Sequence, residues 1–103
     1  MPNRTAYSVL IYPLAEKDVR EITEYLQELS DAAATNFINV LSKTLEPLEQ
    51  FPEMHPLVTD KQLSDKGYRF CVVGDYLVFD TINDDIVQIR RIVYGKRSYQ
   101  KFL

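Results

Sequence analysis

"YRFCVVGDYLVFDTINDDIVQIRRIVY", residues 68–94, decides the fold. Three apolar runs, "YRFCVV", "YLVFDTI" and "IVQIRRIVY", are rich in β-branched and aromatic residues and are separated only by short polar steps. Gly74-Asp75 is a two-residue hairpin signal of the Gly-first type, and Asn83-Asp84-Asp85 makes the next turn. The stretch therefore predicts three consecutive antiparallel strands. Alternation along the third separates Val87, Ile89, Arg91 and Val93 from Gln88, Arg90, Ile92 and Tyr94, so the neighbouring arginines are expected on opposite faces.

Working back from this sheet, "TAYSVLIY", residues 5–12, reads as a further strand that pairs with one of the other three. Pro13 ends it and opens a helix, in which Val19, Ile22, Leu26 and Leu29 recur at three- and four-residue steps. Glu16, Asp18 and Glu21 suit the positive end of its dipole. Ser30 or Asp31 can cap a second helix, whose stripe is Ala34, Phe37 or Ile38, Leu41, Leu45 and Leu48, with Pro47 kinking or ending it. The short link predicts an antiparallel helical hairpin. Residues 51–67, with two prolines and mixed polarity, read as an ordered connecting loop. The expected architecture is α+β: an N-terminal strand, then a helical hairpin packed on one face of a mostly antiparallel four-stranded sheet.

The 103 residues suffice for one domain, residues 1–103, with a single core. No apolar run approaches the ~20 residues that span a bilayer, and "MPNRTAYSVLIYP" lacks a signal-peptide cleavage pattern. The one cysteine, Cys71, lies in the apolar run "FCVV" and reads as a buried thiol in a reducing, cytoplasmic setting. Net charge is −3, yet residues 86–103 hold five Lys/Arg and no Asp or Glu. A uniform nucleic-acid coat is excluded, but a local basic patch drawn from Arg90, Arg91, Lys96, Arg97 and Lys101 is not.

Arg69, Arg90, the tyrosines and Asp80 are candidates for the open sheet face. Arginine beside tyrosine suits phosphate binding and base stacking. The plainer reading is a solvated face on which Asp80 pairs with Arg90 or Arg69. His55, the only histidine, sits between prolines in "PEMHPL". It is either a general base, since an unperturbed imidazole titrates near neutrality, or a loop residue without a chemical role. One histidine supports no Ser-His-Asp arrangement, and no zinc spacing or glycine-rich phosphate loop is present.

The opening strand with "YPLAEKDVREITEYL", the second helix ending "LEPLEQFPEMHP", and above all "GYRFCVVGDYLVFDTI" with "IVQIRRIVYGKRSYQKFL" resemble the RelE/ParE superfamily of bacterial type II toxin–antitoxin toxins. The resemblance covers nearly the whole chain. It implies a toxin in a hetero-oligomer with a cognate antitoxin, with no cofactor or metal. The superfamily holds two activities on one fold: RelE-like toxins cleave messenger RNA in the ribosomal A site, and ParE-like toxins poison DNA gyrase without cutting nucleic acid. The RelE-like chemistry needs a deprotonated 2′-hydroxyl, a stabilised phosphorane and a protonated leaving oxygen. On that reading Arg97 matches a phosphate-binding arginine and Arg69 a position often Lys or Arg. Tyr99 or Tyr94 supplies the C-terminal aromatic and His55 an acid–base group. Arg90, Lys96 and Lys101 would bind nucleic acid or a partner.

This sequence departs from the ribonuclease pattern at Tyr76, where those members usually carry an arginine. Messenger cleavage is the first expectation and gyrase poisoning the alternative; a non-toxic relative that only binds the antitoxin is the third.

Overall fold

The computed structural model describes residues 6–103. Thr5, which opens the expected first strand, and the start of the segment read for a targeting signal lie outside them. The elements follow the order β1 (Ser8–Ile11), α1 (Pro13–Leu29), α2 (Asp31–Leu45), a 3₁₀ turn (Glu46–Glu49), α3 (Lys61–Asp65), β2 (Arg69–Val73), β3 (Tyr76–Asn83), β4 (Ile86–Tyr94) and a 3₁₀ turn (Tyr99–Lys101). One four-stranded sheet has the order β1-β4-β3-β2. β1 runs parallel to β4, with Ser8 beside Ile86 and Ile11 beside Ile89. The other two pairings are antiparallel, so the sheet is mixed and mostly antiparallel.

The turn chemistry explains the hairpins. Val73 pairs with Tyr76 across Gly74-Asp75, and Gly74 alone of the two has positive φ, at 59°. That conformation carries little penalty only for glycine and matches the Gly-first turn. Asn83 pairs with Ile86, and Asp84 takes φ 55°, which aspartate tolerates better than most residues.

Each helix begins and ends for local reasons. Pro13 occupies the first turn of α1, where no backbone N–H is needed. Ser30 alone separates α1 from α2; its Oγ accepts the Ala33 N–H at 3.0 Å and caps α2. α2 ends at Leu45, and Pro47 sits in the following 3₁₀ turn, which still delivers Leu48 to the core. Phe37, not Ile38, takes the buried place, and Leu29 falls off the α1 stripe into solvent.

The hairpin covers one sheet face. Ala15, Phe37, Leu41, Leu45 and Leu48 pack there on Val73, Val78, Val87, Ile89 and Ile92. The opposite face, expected to be open, carries a second apolar cluster. Tyr68, Phe79 and Val93 are covered there by Val58 and Leu63 from the connecting segment and by Tyr99, Phe102 and Leu103 from the C-terminal segment. The connecting segment is therefore more than a loop. It contains α3, and Leu57 bridges to Arg69 at the sheet edge.

One irregularity changes the expected alternation. Phe79 pairs with Arg91 and Asp80 with Ile89, so Arg90 is an extra residue in β4, a β-bulge. Beyond it the faces exchange, and Ile92 joins Val87 and Ile89 against the helices instead of lying on the Gln88 face. Among the described residues no helix is long and apolar enough to cross a membrane.

Candidate functional site

The basic and aromatic residues singled out above separate into three places. The first surrounds β2 and the segment before it. Arg69 Nη1 donates to the carbonyl oxygens of His55 at 2.7 Å and Glu53 at 3.4 Å, so its guanidinium holds the 53–55 backbone. His55 is buried, and its Nδ1 lies 2.9 Å from Asp80 Oδ2, which is fully buried. Asp80 thus pairs with the histidine and not with Arg90 or Arg69. The Asp80 hydrogen bond first, then the Cys71 thiol, raises the imidazole pKa from 6.5 to about 9 against the opposing cost of burial. The shift favours the protonated ring and the side chain is enclosed, unlike the exposed, unperturbed imidazole considered for a general base. Cys71, expected buried, is half-buried on the same strand face.

The second place is the end of the sheet where β4 runs out. The Gly95 N–H donates to the Asp75 carbonyl at 2.8 Å, bringing the backbones so close that a Cβ at Gly95 would sit 3.1 Å from that oxygen. Arg97 N–H then closes a turn onto the Tyr94 carbonyl at 3.0 Å. Lys96 and Lys101 are exposed. Phe102 lies between two guanidinium groups, with those of Arg91 and Arg97 each 5.6 Å from its ring centroid. Tyr94 and Tyr99 diverge: Tyr94 meets Tyr76 edge-on at 5.9 Å, whereas Tyr99 packs on Phe79 at 5.0 Å, within the second cluster.

Between α1 and the end of β4 opens a groove of ≈ 670 Å³. Ile22, Tyr25, Leu26, Leu29, Tyr76 and Tyr94 give it apolar walls, and Arg97 reaches its rim. Its charged lining holds Asp18, Glu21 and Asp75 against Arg91 and Arg97. Two of these cancel: Arg91 donates to Asp18 Oδ2 at 2.8 Å from Nε and to Oδ1 at 2.9 Å from Nη2, a two-point ion pair. Asp18 Oδ2 also accepts the Ile92 N–H at 2.9 Å. That N–H faces away from β3, beyond Ile89, where the β1 pairing has ended. Asp18 reads in the sequence as one of several N-terminal helix carboxylates; only the end of β1 reveals its second role.

The third place is Arg90. It sits over the rings of Tyr12 and Tyr68, 5.7 and 5.6 Å from their centroids, and Nη1 donates to Thr81 Oγ1 at 3.4 Å. Its setting depends on the bulge, and no local periodicity signals Tyr12 or Lys66 as its neighbours.

Arg69 and Arg97 lie apart. Arg69 stands opposite Asp80 in the strand register, and Gly95 bonds Asp75, five residues earlier, just before β3. At ~3.3 Å per residue this is roughly 17 Å of strand.

A family model described as ParE toxin of the type II toxin–antitoxin system, parDE, matches residues 9–99. Among solved structures, a chromosomal ParDE toxin–antitoxin system from P. aeruginosa is similar, with a TM-score of 0.73 at 16% identity, covering 88% of this chain and 98% of that one. The curated proteins give no match.

Proposed function

This chain belongs to the ParE toxin family of type II toxin–antitoxin systems, and from that premise we propose that it arrests growth by poisoning DNA gyrase without cutting nucleic acid. The observation that carries this reading is the dispersal of the groups that a metal-free ribonuclease would need around one phosphate. Arg69 is committed to two backbone carbonyls, and His55 is a buried imidazolium. Tyr94 and Tyr99 contact different partners on different sides of the sheet. Arg97 stands in a groove whose remaining charges, Glu21 and Asp75, repel a polyanion. Tyr76, in place of an arginine, adds an aromatic ring edge-on to Phe37 at 5.4 Å and no charge. Ribosome-dependent messenger cleavage, the first expectation from the resemblance, finds less support in this arrangement.

The family context supplies an antitoxin as partner. The groove between α1 and β4 suits an amphipathic segment of it: apolar walls flanked by carboxylates and Arg97 offer both burial and register. Such a segment would also cover Tyr25 and Leu29, which are exposed in the isolated chain.

The reading is tested by inducing the toxin in bacteria, with primer extension on an abundant transcript, and by a supercoiling assay with purified toxin and gyrase. Intact transcripts with inhibited supercoiling are expected. Arg97→Ala is expected to abolish growth arrest while leaving the thermal melt unchanged. In-frame transcript cleavage that disappears in Arg97→Ala would replace gyrase poisoning with the ribonuclease.

A further inference from the structure

The depression around Arg90 has no place in the groove or in the target argument. Its volume is ≈ 390 Å³, and Lys66, Tyr68, Thr81, Asn83, Gln88 and Arg90 contribute to its lining. No carboxylate lines it, although the chain as a whole is acidic. Of the acids next to its lining along the chain, Asp65 is paired with Lys61, Asp80 is buried against His55, and Asp84 lies in the turn beyond Asn83. Lys66 and Arg90 therefore leave a local excess of two positive charges facing a polar hollow.

The arginine is held in place by a closed circuit. Arg90 Nη1 donates to Thr81 Oγ1, Thr81 Oγ1 donates to Gln88 Oε1 at 2.7 Å, and Gln88 Nε2 donates to the Tyr12 hydroxyl at 2.6 Å. The Tyr12 ring in turn lies beneath the Arg90 guanidinium, with Tyr68 as its second aromatic neighbour. Thr81 and Gln88 are buried, so this circuit fixes polar groups that would otherwise lose hydration. It holds a bulged arginine in one orientation with no acidic partner among the described residues. Bulges commonly serve to re-aim a side chain beside a functional site. A planar, always-charged fork held by stacking, with a lysine point charge and the Asn83 side-chain amide also lining the hollow, is the recognition chemistry of a phosphate group.

We infer that the Arg90 depression is a phosphate-binding site, separate from the α1–β4 groove, that takes a phosphodiester of a nucleic-acid backbone. The inference does not depend on which cellular machine the toxin attacks, because the purified chain alone should show it. Arg90 supplies a two-point contact and Lys66 a second charge. Tyr12 and Tyr68 position the guanidinium. Lys96 and Lys101, which follow the end of β4 and do not line the depression, do not participate.

The test is a titration of the ¹⁵N-labelled full chain at constant ionic strength, first with inorganic phosphate and then with a short single-stranded DNA. Both are expected to shift the amide signals of Lys66, Thr81, Gln88 and Arg90, the DNA at lower concentration. Shifts with phosphate and none with DNA would keep the site and assign it to a small phosphorylated compound instead. In parallel, anisotropy of a labelled oligonucleotide is expected to show at least about tenfold weaker binding for Arg90→Lys, which preserves charge but not the planar fork. Lys66→Gln should weaken binding severalfold and lower the salt slope by about one. Lys66 is exposed, so that variant folds independently of any strain at Arg90. A double Lys96→Ala, Lys101→Ala variant should bind as the unaltered chain does. The proposal is overturned if neither ligand moves these signals, if both Arg90→Lys and Lys66→Gln bind normally, or if a glutamate-rich peptide occupies the site and phosphate does not.

Discussion

At the scale of single residues, His55 and Asp80 carry the largest electrostatic commitment. The pair is buried, and the second carboxylate oxygen, Asp80 Oδ1, has no hydrogen-bond partner. A histidine whose pKa rises on folding, from 6.5 to about 9, stabilises the fold fully below pH 6.5. That contribution is lost as the pH climbs through 9. A shift of this size corresponds to something on the order of 3 kcal/mol. Urea unfolding midpoints should therefore fall between pH 6.5 and 9 in the unaltered chain, and Asp80→Asn should remove most of that slope. A midpoint that stays level over the range would mean that the imidazole is neutral in the folded protein. The sequence placed His55 in the right segment and left open whether it had a chemical role. It could not reveal the partner, because Asp80 lies 25 positions away and is brought near by strand register.

At the scale of elements, β4 organises the molecule. Its apolar pattern was legible, but the bulge at Arg90 was not, because a bulge depends on the register of two strands and not on the composition of either. That single extra residue sends Ile92 to the helical core and belongs to Arg90, whose guanidinium lies over Tyr12 and Tyr68. The α1–β4 junction rests on Asp18, which binds Arg91 and also satisfies the Ile92 N–H past the end of β1. Asp18→Ala leaves a largely buried guanidinium and a strand N–H unpaired and should cost about 3 kcal/mol. Chemical denaturation will measure it. A loss below about 1 kcal/mol would mean that solvent replaces the carboxylate. The helices were more legible than the sheet because their stripes, Pro13 and the Ser30 cap are local signals.

At the scale of the whole molecule, two apolar clusters sandwich one sheet, and the C-terminal residues close the second. Strand alternation reads this face as open because it places arginines, tyrosines and Asp80 there, and the apolar members of the C-terminal segment, Tyr99, Phe102 and Leu103, fall at no regular period that would assign them to it. Removing residues 99–103 uncovers Phe79 and Val93 and takes away the carbonyl that accepts from Arg91 Nη1 at 3.0 Å. The truncated chain should lose about 3 kcal/mol or more, judged from the cost of deleting large buried side chains. Thermal melts check this, and an unchanged melting temperature would make the C-terminal segment an appendage. The parallel pairing of β1 with β4 has a consequence in time. β1 is made early, yet its partner, Ile86–Ile89, is made only after the helices and two other strands. Long-range pairing of this kind is slow and cannot precede synthesis of both strands. A half-made chain therefore holds its helical hairpin with no completed sheet beneath it. The complete sheet, and any activity that needs it, waits on synthesis of β4 near the end of the chain.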